Sequence, residues 1–212
     1  MEKESGFKRF VAEQQARLNE NPECATSLYN LGVMALQEGR LEEAEDYFLE
    51  AIQNGLRMFE AWVNLGYIYF KRGELEKVIE ANKAAIEIEP RYSRGYANLG
   101  FAYLQLERTE EAISALEKAL ELEPRMAQAW CNLVSAYLQK GDIDKAIEVG
   151  KTAVEVAPDF GLAHNNLACA YYLKGDYERA AEHLELALKY QFPVHPEFQE
   201  AMKPYLKRGK EE

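Results

Sequence analysis

The stretch AWVNLGYIYFKRGELEKVIEANKAAIEIEP fills residues 61–90, and AWCNLVSAYLQKGDIDKAIEVGKTAVEVAP fills residues 129–158. The two agree in their order of apolar, small and charged residues across a spacing of 68 positions. Half of that spacing is 34, and the shorter period holds throughout. Leucine stands at 31, 65, 99, 133 and 167, and asparagine immediately before each, at 30, 64, 98, 132 and 166. Alanine stands at 51, 85, 119, 153 and 187. The chain is therefore five copies of one unit, beginning at Ala25 and ending at Val194.

Each unit reads as two helices. In the second, Trp62, Leu65, Gly66 and Tyr69 form one stripe of a 3.6-residue helix. Gly73 then offers a left-handed residue that ends a helix at no steric cost. Gly39, Gly141 and Gly175 match it, whereas the third unit has Glu107, which makes that turn the least well specified. Leu75, Val78, Ile79, Ala85 and Ile86 form the second stripe, stopped by Pro90 as Pro124 and Pro158 stop theirs. Gly32, Gly66, Gly100 and Ala168 are small enough for a partner helix to approach closely. One hairpin this short cannot bury both faces, so stability must come from stacking on neighbours.

Composition narrows the function. Of 212 residues 48 % are hydrophobic, which suits a folded chain. The net charge of −11 argues against nucleic-acid binding, which needs a basic face. No stretch has the length of a membrane span, and the N-terminus lacks the apolar core of a signal peptide, so a cytoplasmic protein without membrane insertion is expected. Cys24, Cys131 and Cys169 are too few and scattered for a disulfide framework. No nucleophile has a base at helical spacing, and His164, in the slot filled elsewhere by Trp62 and Trp130, reads as a packed core residue. Neither a metal nor a cofactor is expected, and the chain reads as non-catalytic.

The pattern resembles the tetratricopeptide repeat family. The second unit supplies Trp62, Leu65, Gly66, Tyr69, Ala85 and Pro90, and the third Tyr96, Leu99, Gly100, Tyr103, Ala112, Ala119 and Pro124. The fourth supplies Trp130, Leu133, Tyr137, Ala146, Ala153 and Pro158. The first unit departs at Leu28, Ala35 and Leu56, the fifth at His164 and Phe192. The resemblance implies an all-α, right-handed superhelix, an α-solenoid of five helix-turn-helix units over residues 25–194. Residues 1–24 and 195–212 read as capping helices. In the first cap Phe7, Phe10, Val11, Gln14 and Leu18 make the inward stripe, with Gln14 a polar break. In the second, Phe198, Tyr205 and Gly209 fall in register, and Pro204 should kink the helix.

In this family the first helix of each unit lines the concave surface. Here that implies a wall with Tyr29, Tyr67, Phe101, Leu138 and Arg94, and with Cys131 and Cys169 on adjacent stretches. The carboxylate clamp that some members direct at chaperone tails is missing, because Tyr29 and Val33 stand where its first lysine and asparagine belong. The asparagines Asn30, Asn64, Asn98, Asn132 and Asn166 put two donors and an acceptor at one place per unit. Helices about 8–10 Å apart would set that ladder to roughly three residues of extended peptide. The expected function is a scaffold binding an apolar to basic extended peptide or protein segment, as a monomer or weak homo-oligomer. The alternative is a structural repeat protein that self-assembles into a homo-oligomer.

Overall fold

A computed structural model describes residues 2–55 and 58–206, with side chains from Arg9 onward. Leu56, Gly209 and the side chain of Phe7 lie outside the described residues. Among those described there are twelve helices and no strand, the all-α helical repeat implied by the period. The chain divides into two compact units, residues 1–95 and 96–212.

The first contains α1 (Glu2–Glu20), α2 (Ala25–Gln37), α3 (Leu41–Asn54), α4 (Phe59–Arg72), α5 (Leu75–Ile88) and the start of α6 (Ser93–Gln105). The second contains the rest of α6, then α7 (Thr109–Leu122), α8 (Ala127–Lys140), α9 (Ile143–Val156), α10 (Gly161–Lys174), α11 (Tyr177–Lys189) and α12 (Pro196–Met202). Inside each unit the helices pack as sequential antiparallel neighbours: α2 on α3 and α4 on α5, or α8 on α9 and α10 on α11.

The turns inside the hairpins share one geometry. Gly39, Gly73, Gly141 and Gly175 have φ of 77°, 72°, 82° and 84°. After α4, Gly73 N–H donates to Phe70 C=O at 3.1 Å and Glu74 N–H to Tyr69 C=O at 2.9 Å, the paired bonds of a Schellman cap. Glu107 forms the same cap with φ of 58°, donating to Leu104 C=O at 3.1 Å. The third turn is thus fully formed by a residue disfavoured in that conformation. Gln191, with φ of 59°, caps α11 likewise.

The small residues stand where the helices cross. A Cβ on Gly32 would lie 2.7 Å from Cε1 of Phe48, and one on Gly100 would lie 2.4 Å from Cγ of Leu116. In the fourth unit the close approach lies between α9 and α10. Val134 stands on its first helix and Gly150 on its second, where a Cβ would lie 2.9 Å from Leu167. Buried alanines, among them Ala51, Ala85, Ala119, Ala153 and Ala187, complete each core.

Charged pairs join successive hairpins at the surface. Arg72 on α4 pairs with Glu45 on α3, Lys140 on α8 with Glu110 on α7 at 3.8 Å, and Lys174 on α10 with Asp144 on α9 at 2.5 Å. The lysine pairs are exposed and add little, about 0–1 kcal/mol each. The Arg72 pair is more enclosed and belongs to a group with Glu42 and Glu74.

The ends differ from expectation in detail. Gln14 is the most buried described side chain of α1 and accepts from Asn30 Nδ2 at 3.2 Å, whereas Phe10 is 41 % exposed. A buried amide with a partner is tolerated in a core; without one it would be costly. At the other end α12 stops at Met202: Lys203 keeps helical dihedrals (φ −48°, ψ −40°), but Pro204 has no N–H with which to continue the ladder. Pro204 therefore terminates the helix and does not kink it. Met202 is fully buried among Leu167, Ala168, Tyr171, Ala180, Ala181 and Leu184.

Candidate peptide-binding wall

In residues 1–95 the residues expected to line the wall lie on α2, α4 and the first turn of α6. Tyr67 and Phe70 are spaced three apart on α4, hence on one helical face, and each is 49 % exposed. Lys71 Nζ lies 5.7 Å from the Tyr67 ring centroid. Arg94 is exposed at the start of α6. Tyr29 on α2 is half-buried, its ring 5.7 Å from Phe48, and its hydroxyl accepts from Asn64 Nδ2 at 3.5 Å. Exposed aromatics one turn apart can take an apolar side chain between them, and the ammonium beside Tyr67 adds an electrostatic handle.

In residues 96–212 the same places are less open. Phe101 on α6 is half-buried, and Leu138 on α8 packs against the core around Leu133 and Val134. Asn98 is exposed but engaged, and Asn132 Oδ1 accepts from Gln128 Nε2 at 3.1 Å. Leu173 on α10 is the most exposed large apolar residue, at 57 %.

Three residues of the asparagine column bond between helices. Asn30 reaches Gln14 on α1, Asn64 reaches Tyr29 on α2, and Asn166 Nδ2 donates to the Cys131 carbonyl at 3.0 Å and to Ser135 Oγ at 3.3 Å. In all three the amide on one hairpin reaches the preceding first helix, or α1. A recurrent polar residue at a helix crossing fixes register between hairpins.

Two placements correct the reading from sequence. Cys131 is not a wall residue: it is fully buried with Ala153 and Ala163, and burial pushes its thiol up to about 12. Cys169 is half-buried, its thiol pushed up to about 11 by the same cause. Phe70, not among the expected anchors, is half exposed. Its period place contains Leu36, Leu104, Leu138 and Tyr172 elsewhere, so exposure could not be read from the column.

His164 is core, as expected, and is 5 % exposed. Its Nε2 meets the Pro158 carbonyl at 2.9 Å, and in the fourth unit Trp130 Nε1 donates to the Pro124 carbonyl at 2.8 Å. The imidazole reproduces the indole's bond from the same slot. Its Nδ1 lies 3.1 Å from Nδ1 of His183. A carbonyl only accepts, so His164 carries its proton on Nε2 and His183 donates from Nδ1. Among the described residues no group of three or more His, Cys, Asp or Glu is placed to hold a metal ion. No described helix is long and apolar enough to cross a membrane.

One family model described as tetratricopeptide repeat matches residues 7–55 and 98–159, just over half the chain. Two further tetratricopeptide repeat models match residues 59–92 and 137–203. No curated protein sequence matches. Among solved structures, a MamA crystal structure is 26 % identical with a TM-score of 0.72, covering 76 % of this chain and 94 % of that one. The structure described as "YrrB: a TPR protein with an unusual peptide-binding site" is 22 % identical with a TM-score of 0.77, covering 90 % and 97 %. MamA 41-end from Desulfovibrio magneticus RS-1 is 23 % identical with a TM-score of 0.73, covering 79 % and 94 %. These likenesses are of fold.

Proposed function

We propose that this chain, which belongs to the tetratricopeptide repeat family, is a non-catalytic scaffold that binds an extended peptide or protein segment on its first-helix faces. The observation that carries the reading is the pair Tyr67 and Phe70, both half exposed one turn apart on α4. Large aromatics left in water on a rigid helix are the residues from which interface hot spots are built. They anchor an apolar side chain of the ligand. Lys71 lies beside Tyr67, and Arg94 and Tyr29 belong to the same proposed stretch of residues 1–95. Phe101, Leu138, Asn98 and Asn132 offer a second, shallower stretch in residues 96–212. Asn30, Asn64 and Asn166 act first as braces between helices, and their contribution to peptide binding comes through the acceptor oxygen and the shape of the wall. The likeness of fold to YrrB, described as having a peptide-binding site, supports a peptide as ligand class.

The test is selection from a random peptide library on the immobilised protein, repeated with Tyr67→Ala, Phe70→Ala. The double variant should keep its helicity and melting point and enrich none of the wild-type peptides. Equal enrichment by both proteins would refute the assignment.

A second reading, self-assembly, is favoured by the C-terminal end. Tyr177 and Tyr205 stack 4.6 Å apart and are both exposed. Exposed apolar patches of this kind mark association surfaces. Light scattering across a concentration series distinguishes the two: a monomer at every concentration removes self-assembly.

A further inference from the structure

The two cations that end α4 are employed differently. Arg72 turns toward acidic neighbours, pairing with Glu45 and lying 3.6 Å from Glu42 and 3.7 Å from Glu74. Lys71, the residue before it, is exposed and joins no ion pair among the described residues. Its ammonium lies 5.7 Å from the Tyr67 ring centroid. Lysines elsewhere are neutralised: Lys77, Lys118, Lys140, Lys145 and Lys174 each have a carboxylate within 3.8 Å. Glu60, the remaining charge on α4, stands eleven residues before Lys71, about 16 Å along the helix axis.

The helices around this face sort the charge. α2 contains no charged residue. α3, packed against both α2 and α4, carries Glu42, Glu43, Glu45, Asp46 and Glu50 and no lysine or arginine. A cationic ligand is therefore drawn to α3 and repelled by Lys71. An anionic one is repelled by most of a surface with net charge −11 and attracted where an ammonium stands uncompensated. Salt screens such effects beyond about 8 Å at physiological ionic strength, so the nearest charge, Lys71, decides which group settles beside Tyr67.

Resting on the peptide-binding reading above, we propose that this face selects peptides carrying an aspartate or glutamate two residues from an apolar side chain. The apolar side chain covers Tyr67 and Phe70, each 49 % exposed, and the carboxylate accepts from Lys71 Nζ. Alternate residues of an extended chain project to one side about 6.6 Å apart, close to the 5.7 Å between the Tyr67 ring and the ammonium. The ammonium keeps its contact with the ring face while donating to the carboxylate, so nothing in the wall is displaced. A bond of this kind, with both partners charged, is stronger than one between neutral groups. The acid replaces the basic character expected of the ligand from sequence, because the cation-attracting carboxylates lie on α3 and not beside Tyr67.

The probe is a random dodecamer peptide library, selected in parallel on the full-length wild type, on Lys71→Glu and on the double variant Tyr67→Ala, Phe70→Ala. The wild type should enrich Asp or Glu two residues from an apolar side chain. Lys71→Glu should keep its helicity and the preference for the apolar residue, and exchange the acid for Lys or Arg. A wild-type peptide resynthesised with Gln in place of its acid should bind roughly 2- to 5-fold more weakly, the worth of one exposed charge pair. Apolar peptides enriched without an acid, or the same acid enriched by Lys71→Glu, would overturn the inference and leave α4 standing as the binding face. If the wild type enriches no peptide, or the double variant enriches the same ones, the face itself is misassigned and the inference falls with it.

Discussion

Replacing Glu107 by glycine should stabilise the protein. Glu107 has φ of 58° in the turn between α6 and α7, where its counterparts are Gly39, Gly73, Gly141 and Gly175. An L-residue in the left-handed region costs about 1–2 kcal/mol. Glycine removes that strain but has a more flexible unfolded chain, which offsets about 0.5–1 kcal/mol. The Glu107 side chain is exposed, so no packed contact is lost. The net gain is about 0.5–1 kcal/mol, or a rise in Tm of about 1–4 °C for a chain of this size. Urea denaturation followed by circular dichroism measures it. The matched control is Gly141→Ala, where a Cβ meets no atom within 4 Å and strain alone acts. That variant should lose about 1 kcal/mol. A lower midpoint for Glu107→Gly would refute the claim that the third turn is strained.

Gly100→Ala should destabilise by about 1–3 kcal/mol in the same assay, because the new Cβ would lie 2.4 Å from Leu116 Cγ in a filled core. A change below about 0.5 kcal/mol would mean the helices separate freely. Stability should also fall in acid. Burial and then the neighbouring His164 hold the His183 imidazole below its ordinary value, so the unfolded chain binds the proton first. This contribution is complete above the ordinary imidazole pKa of about 6.5 and is lost as pH falls through that value toward the lower folded one. His183→Gln should flatten the dependence of Tm on pH between about 5 and 7, and an unchanged slope would show that other groups set it. Asn166→Ala should cost about 1–2 kcal/mol of stability by removing the bonds its amide donates to the Cys131 carbonyl and to Ser135 Oγ, whereas Asn132→Ala should be nearly neutral. Equal losses would contradict the brace role.

Local patterning made the helices and their turns legible, because a glycine after an apolar stripe and a proline after the next state their meaning within a few residues. Glu107 and Gln191 were not legible as left-handed residues, since the surrounding caps, and not their own preference, hold them there. The close approach of Gly150 on α9 to Leu167 on α10 was visible only once the helices were paired. Periodicity could not separate Cys131, fully buried, from Tyr29 and Val63 in the same column, which are half-buried. Period place sets direction from the helix axis, while burial depends on the size of what the next hairpin lays over it. The asparagine column illustrates the same limit. Its recurrence was plain, but whether an amide meets a ligand or a neighbouring helix depends on distances that no single chain segment encodes. Gln14, read as a flaw in an apolar stripe, is the partner that Asn30 requires.

The most direct test of the binding role is calorimetric titration of a selected peptide into the wild type, into Tyr67→Ala, Phe70→Ala, and into Asn166→Ala. Exposed aromatic anchors should make the double variant at least about tenfold weaker at unchanged melting temperature. Asn166→Ala, whose amide is engaged with α8, should melt lower yet bind normally while folded. Undiminished affinity in the aromatic variant would contradict the assignment of α4 as the peptide-binding face.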